Sequence, residues 1–149
     1  SNKNNTVLKL LNILKKYPEN KIVWAHMGLS KELSNMKPEN HIKIMKRLLD
    51  NHPKLMLDIT WRVLEDNYFK NHRRIYTRFF NDYSERILPG TDFVASSNKN
   101  FESYKTDLEV TSQIHKYLSD EAFRNIVLGN NYFKLLGLDY EAPEIFISN

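Results

Sequence analysis

Three short apolar runs, at 22–25, 55–60 and 87–88, are separated by segments with helical periodicity. That alternation constrains the fold more than any other feature of the chain. Strands joined through helices run parallel, because the crossover returns the chain to the same end of the sheet. Runs that are apolar at successive positions read as parallel strands covered on both faces. The first run ends on His26-Met27-Gly28, and the third passes through Pro89 and Gly90 to Asp92. A buried strand that stops at an ionisable residue carries it on the C-terminal rim, where α/β barrels keep their chemistry.

The segments between the runs read as helices. Thr6 is expected to cap one with Val7, Leu8, Leu10, Leu11 and Leu14 on its apolar stripe, ended by Tyr17-Pro18. Pro38 suits the first turn of the next, striped by Ile42, Met45, Leu48 and Leu49. Ile75, Tyr76, Phe79, Phe80 and Tyr83 follow at helical spacing and are expected to pack against the sheet. A loop rich in Ser and Asn over 93–103 precedes a helix predicted at 104–118, with Leu108, Thr111, Ile114 and Leu118 on one face. Ser119 is expected to cap a helix at 120–128 that Gly129 ends, and Asn131 a last one at 132–136 that Gly137 ends. The 149 residues suit one domain, 1–149, with 1–5 read as a disordered tail or a cloning remnant.

Composition removes several function classes. The net charge of +4 is dispersed among acidic residues, with no basic block interleaved with aromatics, which argues against nucleic-acid binding. With no cysteine, disulfides, thiolate zinc sites and cysteine nucleophiles are excluded. No apolar run approaches the roughly 20 residues of a membrane span. The polar start, Ser1-Asn2-Lys3-Asn4-Asn5, is unlike a secretory signal, so a cytoplasmic chain is expected.

Four stretches occur together in a known order: Val23-Trp24-Ala25-His26-Met27-Gly28, Leu57-Asp58-Ile59, Arg86-Ile87-Leu88-Pro89-Gly90-Thr91-Asp92-Phe93, and the ending from Ile126 through Asn130 to Gly137-Leu138. In that order and approximate spacing the chain resembles the amidohydrolase superfamily. Within it, the nearest branch is the amidohydrolase-related group that includes metal-dependent decarboxylases and lactonases. The resemblance implies an α/β fold, the C-terminal part of a distorted (β/α)8 TIM barrel, with the last three parallel strands and their flanking helices present here. It also implies a metal-dependent hydrolase of C–N or C–O bonds acting on a small molecule. A non-oxidative decarboxylase of the same group and a non-catalytic α/β binding module are the alternatives.

In such enzymes the sixth strand ends in a histidine and the eighth in an aspartate, and His26 and Asp92 fall on those positions. The resemblance makes both catalytic residues and ligands of a divalent metal, zinc by expectation. The family's His-x-His pair and the histidine after the fifth strand have no counterpart here, since His41, His52, His72 and His115 sit in helices or at helix ends. The isolated chain is therefore expected to bind zinc weakly or not at all, to lack turnover, and to need the missing N-terminal half-barrel or a second copy as partner. A metal lowers the pKa of bound water, and a neighbouring carboxylate can take its proton, the role implied for Asp92. A neutral imidazole at His26 can polarise the substrate or pass a proton. Thr91 can orient Asp92, while Trp61 and Arg62 can shape the substrate pocket, Arg62 toward a carboxylate. Each has a plainer reading. His26 can be structural, Asp92 an Asx-turn residue, Asp58 the partner of a helix, and Trp61 and Arg62 packing and solvated groups.

Overall fold

The computed structural model describes residues 5–30, 33–64 and 69–145; the side chains of Trp61 and Arg62, and residues 1–4 of the expected tail, lie outside the described residues. The chain is an α/β protein with six α-helices and one three-stranded parallel sheet among those residues. The strands are β1 (Ile22–Trp24), β2 (Leu55–Asp58) and β3 (Ile87–Leu88), in the order β1-β2-β3. Register pairs Trp24 with Leu57 and Asp58 with Leu88, so the three strands finish close to one another at one rim.

β1 and β2 are shorter than their apolar runs, while β3 matches its run. Ala25 belongs to the turn after β1, and Ile59 and Thr60 lie past β2, although Ile59 still donates its N–H to Leu88 O at 3.0 Å. The expectation of two covered faces holds for β3; in β2 the Leu55 and Leu57 face is buried and the Met56 and Asp58 face half-buried, and β1 is more open still. Leu55, Leu57, Ile87 and Leu88 are buried, whereas Val23 is 38% exposed. β1 and β3 are both edges of the sheet, but only β1 leaves a face, that of Val23, open.

Helix α1 (Thr6–Lys16) buries Leu10 and Leu14, with Val7 and Leu11 packed beside them. Its cap is Asn5, not Thr6: the Asn5 side chain accepts from Leu8 N, while Thr6 is the first helical residue. Helix α2 (Pro38–Asn51) begins on proline and buries Ile42, Met45, Leu48 and Leu49 as its spacing predicts, and it buries His41 as well. Helix α3 (Arg73–Asp82) supplies the aromatic core. Phe79 and Phe80 lie 6.0 Å apart, and Phe80 is 6.1 Å from Tyr76 and 6.3 Å from Phe69. Truncating Phe79 or Phe80, both fully buried, removes packing of about 3–5 kcal/mol.

The C-terminal helices depart most from the sequence pattern. Helix α4 (Phe101–Ser112) starts three residues before the apolar spacing indicates, set by a reciprocal capping box between Asn100 and Ser103, and it buries none of its residues. Helix α5 (Asp120–Ala122), capped by Ser119, passes straight into a π-turn over Phe123–Val127. Helix α6 (Asn130–Leu136) is bracketed by Gly129 and Gly137, both left-handed. Asn131 does not cap it. Its amide is buried and donates to Ser84 O at 2.6 Å and Ile87 O at 2.7 Å, holding the start of β3.

Candidate functional site

The chain leaves β1 through a turn that few sequences adopt. In the segment Ala25–Gly28, His26 has φ 55° and ψ 31°, Met27 φ 48° and ψ 33°, and Gly28 φ 67°. Two successive side-chain-bearing residues in the left-handed region cost about 1–2 kcal/mol each, so the surroundings must hold them there. His26 N donates to Asp58 Oδ1 at 2.7 Å, and Leu29 N to His26 O at 2.9 Å. The Met27 side chain is fully buried, and its carbonyl lies 2.9 Å from His41 Nε2. At Gly28 a Cβ would fall 2.2 Å from Trp24 Cζ2, so the indole of β1 closes over a residue that must be glycine.

His41 is the buried support of that turn. Burial pushes its imidazole pKa down, favouring the neutral ring with one N–H. The carbonyl of Met27 can only accept, so Nε2 carries the hydrogen and Nδ1 accepts from Tyr76 Oη at 3.1 Å.

Across from the turn, the residues just past β2 form a polar knot. Asp58 Oδ1 also accepts from Thr60 N at 3.2 Å and from Thr60 Oγ1 at 2.7 Å. Thr60 Oγ1 lies 2.6 Å from His26 Nδ1, and Asp58 Oδ1 lies 3.6 Å from the same nitrogen. The end of β3 closes on this knot because Gly90 has no Cβ, which would fall 2.5 Å from Thr60 Cγ2. Asp92, with φ 57°, then turns its carboxylate back, and Oδ2 stands 3.9 Å from His26 Nε2. Tyr132 fastens the approach by donating to Pro89 O at 2.9 Å; burial and the charge of Asp58 push its phenol pKa up.

Of the residues singled out from sequence, His26 and Asp92 therefore meet on the same rim. Asp58, left open between the site and a helix partner, bonds the His26 turn and Thr60. Thr91 Oγ1 accepts from Phe93 N at 3.1 Å, a bond that shapes the turn around Asp92. Trp61 and Arg62 begin the short 3-10 segment Trp61–Leu64 after β2, and their side chains lie outside the described residues. Sequence reasoning missed Thr60, His41, Gly90 and Tyr132. Thr60 was within reach, because Asp58-x-Thr60 at a strand end puts two polar groups on one face. His41 was not, since a histidine on a helix stripe looks like any other.

Beside Asp92 an open cleft of about 380 Å³ runs toward α4, lined by Thr91, Asp92, Val94, Lys99, Asp107 and Val110 among others. It brings one cation, Lys99, and two carboxylates to the rim. The donors do not fit a self-contained metal centre. Among the described residues no group of three or more His, Asp or Glu side chains is disposed to hold a metal ion, and a catalytic zinc takes three protein ligands. Among the described residues, too, no helix is long and apolar enough to cross a membrane. No family model, no curated protein and no solved structure matches the chain.

Proposed function

We propose that this chain is the C-terminal portion of an amidohydrolase-type barrel and carries the acid–base side of a site that hydrolyses a C–N or C–O bond in a small molecule. The observation behind this reading is the 3.9 Å approach of His26 Nε2 to Asp92 Oδ2, made between the ends of β1 and β3. Those are the strands that the resemblance equates with the sixth and eighth of the barrel. Asp92 takes a proton from the attacking water as its oxygen bonds to the acyl carbon. His26, alongside, takes up that proton at Nε2 and relays it to the leaving nitrogen or oxygen as that bond breaks. The cleft between Asp92 and α4 is the space offered to the substrate. Because two donors fall short of the divalent metal that the resemblance implies, its other ligands belong to the missing half-barrel, which would pair along the open edge of β1.

The test is turnover of small amides, esters and lactones by the protein as its whole gene encodes it, supplied with zinc. Asp92→Asn keeps the size of the side chain but gives up the base, and should lower the rate about 10²–10⁴-fold with an unchanged circular dichroism spectrum. A variant that keeps most of the wild-type rate reduces Asp92 to a turn residue and ends the proposal.

A further inference from the structure

We propose that Thr60 is a positioning residue that fixes the tautomer of His26, holding the ring hydrogen on Nδ1 and the lone pair on Nε2, the nitrogen that faces Asp92. The consequence for catalysis rests on the reading of His26 as a site residue; the tautomer itself does not. The argument is a count of hydrogens. Asp58 Oδ1 receives two backbone donors, His26 N at 2.7 Å and Thr60 N at 3.2 Å. An oxygen so occupied carries no hydrogen of its own, so the 2.7 Å contact with Thr60 Oγ1 must use the threonine hydrogen. A hydroxyl has one hydrogen to give. Its 2.6 Å contact with His26 Nδ1 must therefore use a hydrogen on the ring. The chain of donation runs from His26 Nδ1 to Thr60 Oγ1 to Asp58 Oδ1.

Three features keep the relay from rearranging. Thr60 is buried, 8% exposed, so water competes poorly for its hydroxyl. Its methyl lies under Gly90, where the close approach of the third strand's end limits rotation about χ1. Asp58 is tied at one end to the backbone of the residue whose ring it orders at the other. Imidazole free in water prefers its hydrogen on Nε2, so the site imposes the less common form. It is the form that presents a base, or a ligand lone pair, toward Asp92.

The experiment is nitrogen-15 NMR of histidine-labelled protein at a pH where the His26 ring is neutral, which distinguishes protonated from bare ring nitrogens. The wild type should show His26 with hydrogen on Nδ1. Thr60→Val should move the tautomer ratio toward Nε2–H by about tenfold, the size of one net hydrogen bond. Thr60→Ser, which keeps the hydroxyl, should restore the wild-type spectrum. A wild type already in the Nε2–H form overturns the proposal without any variant, as does Thr60→Val with an unchanged ratio. Where the whole protein turns over, Thr60→Val should depress kcat more than it raises KM, and Thr60→Ser should recover it. Nδ1–H in a protein with no hydrolytic turnover would sink the hydrolase reading and leave the role of Thr60 standing.

Discussion

At the N-terminal end of the sheet, Arg86 directs its guanidinium onto the backbone. Nε donates to Leu55 O at 2.8 Å, Nη2 to His52 O at 2.6 Å, and Nη1 to Leu49 O at 3.4 Å. At the C-terminal end, His26, Asp58, Thr60 and Asp92 are directed at one another. The two ends belong to the same three strands and both hold half-buried charged groups, yet the outcomes differ. Arg86 meets the carbonyls at the close of α2, where the helix dipole favours a cation, and its Nε, Nη1 and Nη2 donate to main-chain oxygens. The rim instead arranges a histidine and a carboxylate face to face, over backbone held in the left-handed region. Helix α2 connects the two ends, with His41 near its start under the Met27 carbonyl and Leu49 near its end on Arg86. A charge whose bonds end on carbonyls is part of the scaffold. A charge aimed at another side chain across strained backbone marks a place to look for chemistry.

The comparison breaks most visibly at Arg86. Arg86→Met keeps the aliphatic stem and leaves three carbonyls without their charged donor, which should cost about 3 kcal/mol of stability or more in urea denaturation. The His26 tautomer should be untouched. A loss below about 1 kcal/mol, inside the range of one neutral hydrogen bond, would mean that water satisfies these carbonyls and that the N-terminal end is not built around the guanidinium.

A smaller effect is expected at the rim. Gly28→Ala puts a Cβ 2.2 Å from the Trp24 ring at a residue with φ 67°. The strain alone is about 1–2 kcal/mol, and displacing the indole adds to it. Because the turn moves with Trp24, the variant should also disturb the His26 ring signals, which Arg86→Met should not. If the two variants perturb His26 equally, the ends of the sheet are not separable in the way described.

Much of this was legible in the residues, for a physical reason. Strands show as apolar runs, and a parallel strand that stops at a histidine or an aspartate announces its rim, so His26 and Asp92 could be placed together before any geometry. The aromatic face of α3 was equally clear, because Tyr76, Phe79 and Phe80 repeat at helical spacing and all three are buried. What stayed hidden depends on bonds between residues distant in the chain. Asn131 looked like a helix cap, since asparagine caps helices, but tertiary contact with Ser84 and Ile87 took its amide instead. The start of α4 was misplaced because its apolar residues do not mark its first turn; that boundary is written in the Asn100–Ser103 box. The left-handed turn at His26 and Met27 has no local signature beyond Gly28. It exists because Asp58 and His41, 32 and 14 residues away, hold it.

The last expectation is a pH dependence, and it concerns the residue that links the two ends. Burial lowers the pKa of His41 below the ordinary 6.5, so the unfolded chain takes up this proton at higher pH than the folded one. Stability from the neutral ring is therefore fully present above about pH 6.5 and is lost as pH falls below it, by at most about 1.4 kcal/mol per pH unit for one proton. His115, also lowered by burial, contributes in the same direction. His41→Gln keeps an amide donor for the Met27 carbonyl but cannot titrate. Urea midpoints at pH 7, 6 and 5 should fall more steeply for the wild type than for this variant. The wild-type His26 signals should also begin to change over the same range, because protonating His41 requires Tyr76 to turn its hydroxyl hydrogen away from Nδ1. The bond from Nε2 to Met27 survives protonation, so the turn should loosen rather than open. Parallel midpoint curves would show that His41 supports the rim without coupling it to pH.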